Sequence, residues 1–154
     1  MGFVLFHYTL FVLLGSILAS AACLSAYLVS RKRTMLYAFF GFLFYFFDVA
    51  WVFQDDFFTG ASAGLGAAYA VVMSLALVVT GGGFLTSFWL LVCDYLGETR
   101  KALKVVPVAL FVVASVGVLV VLPEGDLRSF LFYFPRELYL FWMLLFAGFR
   151  YFAT

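Results

Sequence analysis

Residues 63–96, AGLGAAYAVVMSLALVVTGGGFLTSFWLLVCDYL, decide the fold. Over about 34 residues the only charge is Asp94, close to the far end. A helix crossing ~30 Å of hydrocarbon needs ~20 mostly apolar residues. The stretch is therefore either one over-long span, ~50 Å if straight at 1.5 Å per residue, or two short spans broken at Gly81-Gly82-Gly83. The topology of the rest of the chain follows from that choice.

Four further apolar segments flank this one. The first, 3–29, stops at Arg31-Lys32-Arg33, and the second, 34–53, stops before Gln54-Asp55-Asp56. After Gly97-Glu98-Thr99-Arg100-Lys101 comes 103–122, ended by Pro123-Glu124-Gly125-Asp126. The last is 135–152, where Pro135 suits a first helical turn and Glu137 the positive end of the helix dipole. On this reading 129–134 lies along the interface. Backbone groups inside lipid must be satisfied within their own segment, so the runs are helices, and the alternation of membrane strands is absent.

Lys and Arg accumulate in short cytoplasmic loops, and this arbitrates the count. With one long third helix and an outer N-terminus, the inner side receives Arg31, Lys32, Arg33, Arg100, Lys101, Lys104 and Arg150, the outer side only Arg128 and Arg136. Splitting at the glycines reduces seven against two to five against four. The expectation is an all-α transmembrane bundle of five spans, N-terminus out and C-terminus in. Asp55, Asp56, Glu124, Asp126 and Glu137 then form an acidic outer rim, and the glycines mark a kink or a close-packing point. The first segment reads as a span rather than a cleaved signal, because no basic residue precedes it and three follow it.

The composition agrees. The chain of 154 residues is 67% apolar and 11% charged, against ~45–50% and ~25% in soluble domains. A net charge of +1 offers no basic footprint for nucleic acid. His7 is the sole histidine, so neither a bis-histidine haem nor a zinc cluster can form within the chain. Cys23 and Cys93 are isolated and read as free thiols. No nucleophile set, phosphate loop or facing pair of carboxylates carries enzyme chemistry, and no cofactor or metal is expected.

Helices in lipid associate through close packing and buried polar contacts. Gly15 and Ala19, with Ala22, Cys23 and Ala26, form a small-residue stripe on the first helix, expected to pack within the bundle rather than between copies. Gly81, Gly82 and Gly83 are the corresponding packing positions on the third. The second helix carries Phe39, Phe40, Phe42, Phe44, Phe46 and Phe47, several of which must face lipid.

An ionisable side chain at membrane depth is a functional candidate by default. Asp48 shares a helical face with Tyr45, Gly41 and Tyr37 behind it and Asp55 ahead. Asp48, Tyr45, Tyr37 and Asp55 are thus candidates for binding a cationic ligand or a proton; the competing role for Asp48 is to fix packing through hydrogen bonds. Asp94, in a weakly polar seam with Thr80 and Ser87, is expected to pair on the inner side with Arg100, Lys101 or the Arg31-Lys32-Arg33 loop. Arg136 is expected to pair with Glu137 or Asp55.

The basic first loop Ser30-Arg31-Lys32-Arg33-Thr34, the aromatic second helix, and the turn Asp94-Tyr95-Leu96-Gly97-Glu98-Thr99-Arg100-Lys101 resemble the membrane sensor half of bacterial seven-helix receptors, which are fused to histidine kinases or LuxR-type regulators. The likeness covers roughly residues 10–122. The chain departs from that family in having five expected spans rather than seven, and no output domain. The resemblance implies a sensory role in a bacterial cytoplasmic membrane, with ligand or envelope sensing by the outer part of the bundle; the chain is then either a piece of a longer receptor or a partner of a separate output protein. The expected partners are the bilayer, that output protein or a second copy, and no nucleic acid. A small transporter or channel subunit for a cation or proton, and a structural membrane subunit, are the other readings.

Overall fold

The computed structural model describes residues 2–58, 66–121 and 126–152, with side chains placed at 4–54, 71–121 and 134–152. These residues form five helices and no strand: α1 (Gly2–Ser30), α2 (Arg33–Phe58), α3 (Gly66–Tyr95), α4 (Lys101–Val121) and α5 (Asp126–Phe152). Among the described residues α1, α2, α3 and α4 each contain a stretch long and apolar enough to cross a bilayer. The chain is a multi-pass membrane protein.

Its packing is that of a protein solvated by lipid. The buried set is rich in hydroxyls and small groups, among them Ser16, Ser20, Thr80, Ser87 and Ser115. Large apolar side chains such as Phe11, Val113, Leu144 and Phe149 point outward. Polar groups removed from hydrocarbon and satisfied between helices hold such a bundle together, as when Ser20 donates to the Phe39 carbonyl at 3.3 Å.

α3 is the axis. Among the described residues it packs on α2, α4 and α5, whereas the backbone of α1 approaches only that of α2, and α2 and α5 make no backbone contact with each other. The glycine triplet is what permits this, because consecutive helical positions point about 100° apart and each glycine faces a different neighbour. A Cβ on Gly83 would stand 2.6 Å from the Phe44 ring of α2, and one on Gly82 would stand 3.1 Å from Phe111 of α4. On Gly81 it would meet Asp48 Oδ1 at 3.3 Å. The triplet lies inside one unbroken helix. Gly15 behaves otherwise. It is exposed, with nothing near the position of a Cβ, and α1 buries Ser16 and Ser20 instead. The buried face is centred on Ser16 and Ser20, about 100° round the helix from Gly15 and Ala19, and Ser20 has a carbonyl of α2 to bond there.

Two prolines sit inside helices. Pro107 in α4 has no N–H to offer the carbonyl of Leu103, four residues back. The indole of the fully buried Trp89 fills that role, Nε1 donating to the Leu103 oxygen at 3.0 Å. Trp89 also heads the main apolar cluster, with Leu85, Cys93, Phe111, Tyr139 and Met143. Pro135 is not in the first turn of α5, as its sequence suggests. The helix begins at Asp126, so Pro135 lies well within it, and 129–134 is helical rather than a separate interfacial stretch.

Turns close the inner elements tightly. Gly97, at φ +65°, ends α3; its N–H donates to the Asp94 carbonyl at 3.2 Å and that of Glu98 to Cys93 at 2.8 Å. Such a left-handed cap favours glycine, which lacks the clashing Cβ.

Candidate functional site

Asp48 lies ten residues before the end of α2, about 15 Å along the axis. It is 2% exposed. A carboxylate so far from water needs a partner, and Arg136 of α5 supplies one, Nη2 to Oδ2 at 2.7 Å. The Thr80 hydroxyl of α3 donates to the Ala76 carbonyl at 2.8 Å and lies 3.4 Å from Asp48 Oδ1. Both carboxylate oxygens therefore face a polar partner.

The guanidinium reaches Asp48 over Gly81, whose missing side chain leaves the passage open: a Cβ there would lie 3.8 Å from Arg136 Nη1 as well as against the carboxylate. The far side of the guanidinium stands 5.9 Å from the centre of the Phe84 ring, within range of cation–π attraction. Phe84 in turn stacks on Tyr45 at 5.0 Å. Asp48, Tyr45, Thr80, Gly81, Phe84 and Arg136 thus make one cluster drawn from three helices, and its ion pair links α2 to α5, whose backbones do not approach each other among the described residues.

The sequence candidates separate accordingly. Asp48 and Tyr45 belong to the cluster. Tyr37, three turns further down α2, is half-buried and remote from the carboxylate. The side chain of Asp55 falls outside the described residues. Arg136 pairs with Asp48 rather than with Glu137, because α5 starts at Asp126 and carries Arg136 ten residues inward; a pairing with Asp55 lies outside the described residues. The expectation for Asp94 is corrected too. Asp94 is exposed, and Arg100 binds Glu98 instead, through Nη2–Oε2 and Nε–Oε1 contacts of 2.9 Å and a backbone N–H at 2.9 Å. The Gly97 turn folds Glu98 back under the loop, two residues from Arg100, while Asp94 stays on the outer face of the last turn of α3. Lys101 is exposed. Cys23 and Cys93 are both free thiols. Among the described residues no three metal-binding side chains come together.

Sequence reasoning missed Arg136, Thr80 and Trp89 as interior polar groups. Pro107 held a usable signal for the last, since a proline inside an apolar run leaves a carbonyl that some donor must reach.

A cavity of about 580 Å³ lies between α4 and α5. Val106, Leu110, Leu138 and Trp142 give it an apolar wall, and both interior prolines line it. Tyr139 belongs to the same wall; it is 5% exposed, and its hydroxyl has no hydrogen-bond partner among the described residues.

Comparison with family models, with curated proteins and with solved structures brought no match.

Proposed function

We propose that the chain is a ligand-responsive sensory module of a bacterial cytoplasmic membrane, in which the Asp48–Arg136 pair latches α5 onto α2 and α3. The observation that carries this reading is the pair itself. It joins two helices whose backbones do not approach each other among the described residues, across a glycine that keeps the way clear. Beside the latched helix is an apolar cavity within the ~300–1,000 Å³ range of ligand pockets. α5 also packs on α3 and α4, so breaking the pair would release it from α2 without freeing it from the bundle, and a ligand that prefers the paired or the released arrangement shifts the balance. In the seven-helix receptors this chain resembles the output domain is fused to the membrane half; here output passes to a separate protein.

Transport of a cation or proton fits the geometry less well. A carboxylate neutralised by a guanidinium at 2.7 Å has no charge to offer a passing ion until Arg136 leaves. For the N-out orientation, the latch adds a point. Arg136 is withdrawn from the outer loop into the bundle, so the outer side keeps only Arg128 against seven basic residues on the inner side.

The test is Asp48→Asn, Arg136→Gln and the double variant, in the purified chain with spin labels on lipid-facing positions of α2 and α5. Each single change should broaden the α2–α5 distance distribution and lower stability by ~3–5 kcal/mol, the usual effect of stranding one buried charge. The double variant should recover part of the stability but not the narrow distance. In liposomes neither the wild type nor Asp48→Asn should carry a proton flux. A flux abolished by Asp48→Asn establishes transport instead, and unchanged distances with reduced yield leave only a structural subunit.

A further inference from the structure

We infer that the cleft between the start of α2 and the end of α5 is a binding site for one anionic phospholipid. The inference concerns a different part of the molecule from the latch and does not rest on the sensory reading.

Because the backbones of α2 and α5 do not approach each other among the described residues, α3 forms the floor of a cleft between them. Toward the α1–α2 turn this cleft widens to a cavity of about 810 Å³. Its walls are apolar: Met35 from α2, Leu91 and Val92 from α3, Leu144 and Ala147 from α5. Gly148 completes the α5 wall, and nothing stands within 4 Å of where its Cβ would be. The shape suits a hydrocarbon chain entering sideways from the bilayer.

The mouth has the opposite character. Lys32 and Thr34 line it, and Arg31 and Arg33 flank Lys32, all three cations being exposed. No carboxylate lines any part of the cavity. Tyr95 and Tyr151, 82% and 72% exposed, stand at the same end, as tyrosines do where hydrocarbon meets headgroups. An occupant must therefore be apolar over most of its length and negatively charged at one end, at the depth of lipid phosphates. Basic pockets between transmembrane helices hold anionic headgroups by this combination. A zwitterionic lipid would bring a cation back to a mouth that Lys32 already lines.

The experiment is native mass spectrometry of the detergent-purified full chain, titrated with phosphatidylglycerol and with phosphatidylcholine of the same acyl chains. Phosphatidylglycerol should bind with one tight site and several-fold preference. Lys32→Gln should weaken it about fivefold, the worth of one basic group beside an anionic lipid surface. Gly148→Leu, which places a side chain in open space and so leaves the fold intact, should weaken it by filling the groove while keeping every cation. Shortening the acyl chains should weaken binding to the unaltered protein, and glycerol phosphate, the headgroup without its tails, should not compete. Equal binding of both lipids overturns the proposal. So does a Gly148→Leu variant that binds like the wild type, which would reduce the effect to surface charge, and so does competition by glycerol phosphate, which would make the site one for a free phosphate.

Discussion

At the scale of single residues, the two carboxylates that matter sit in opposite surroundings. Asp48 is sealed among three helices and owes its place to Arg136. Glu98 is tucked into the α3–α4 loop, where the Arg100 side chain and then its backbone N–H bond the carboxylate. These bonds hold its pKa down at about 2, below the ordinary 4.5. A depressed folded-state value means that the folded loop binds the proton less readily than the unfolded chain. The stabilisation is therefore complete above pH 4.5 and is lost as pH falls through that value toward about 2. Glu98→Gln should lower the thermal midpoint at neutral pH, and its difference from wild type should shrink to nothing across that interval. Midpoints followed from about pH 6 to about pH 2 check this; a difference independent of pH would mean that the bonds act through shape and not charge. Asp48 was legible in the sequence because a charge in an apolar run stands out. Its partner was not. Placing the start of the last helix at Pro135 puts Arg136 in its first turn at the outer membrane edge, and a misplacement of nine residues hides the pair.

At the scale of elements, length and hydropathy locate α1 to α4 to within a few residues, since lipid leaves an apolar run of ~20 residues little but a helix to form. What they leave open is tertiary in origin. Three consecutive glycines read equally as a break or as a contact, and the choice falls to Phe44, Phe111 and Asp48, which each approach one of them. Interior prolines are ambiguous for the same reason, because a neighbouring helix decides whether the freed carbonyl is tolerated. Trp89 and Leu103 make that dependence measurable. Trp89→Phe retains most of the ring but strands the Leu103 carbonyl, an expected loss of ~1–3 kcal/mol. Pro107→Ala gives the carbonyl a donor within its own helix. In that background Trp89→Phe should be markedly milder, with a coupling of ~0.5–3 kcal/mol between the two sites. Reversible unfolding in mixed micelles gives all four values. Additive effects would show that Trp89 contributes packing alone and that the indole bond is incidental.

At the scale of the whole molecule, the open question is whether α5 crosses the bilayer with the others. Its C-terminal portion is apolar, but Arg136, Glu137 and Arg150 fall within it, and it is not among the helices that qualify by composition. The structure weakens that objection at one position. Arg136 is 22% exposed at its side chain and neutralised by Asp48, so the charge that most disfavours insertion is one the bundle has already matched. Glu137 is exposed and next to it, whereas Arg150 lies in the last turn, where a long side chain can reach the interface. A helix lying flat on the membrane could not bring Arg136 to the depth of Asp48, some ten residues inside α2. Five crossings are therefore expected, and a reporter fused at Thr154 should lie on the side opposite one fused at Met1. The same assay on Asp48→Asn sharpens the point. If the pair is what makes the insertion of α5 favourable, a fraction of the variant should carry its C-terminal reporter on the side of its N-terminal one, and Asp48→Asn with Arg136→Gln should restore the wild-type arrangement. Both reporters on one side in the unaltered protein would place α5 outside the hydrocarbon and dissolve the latch with it.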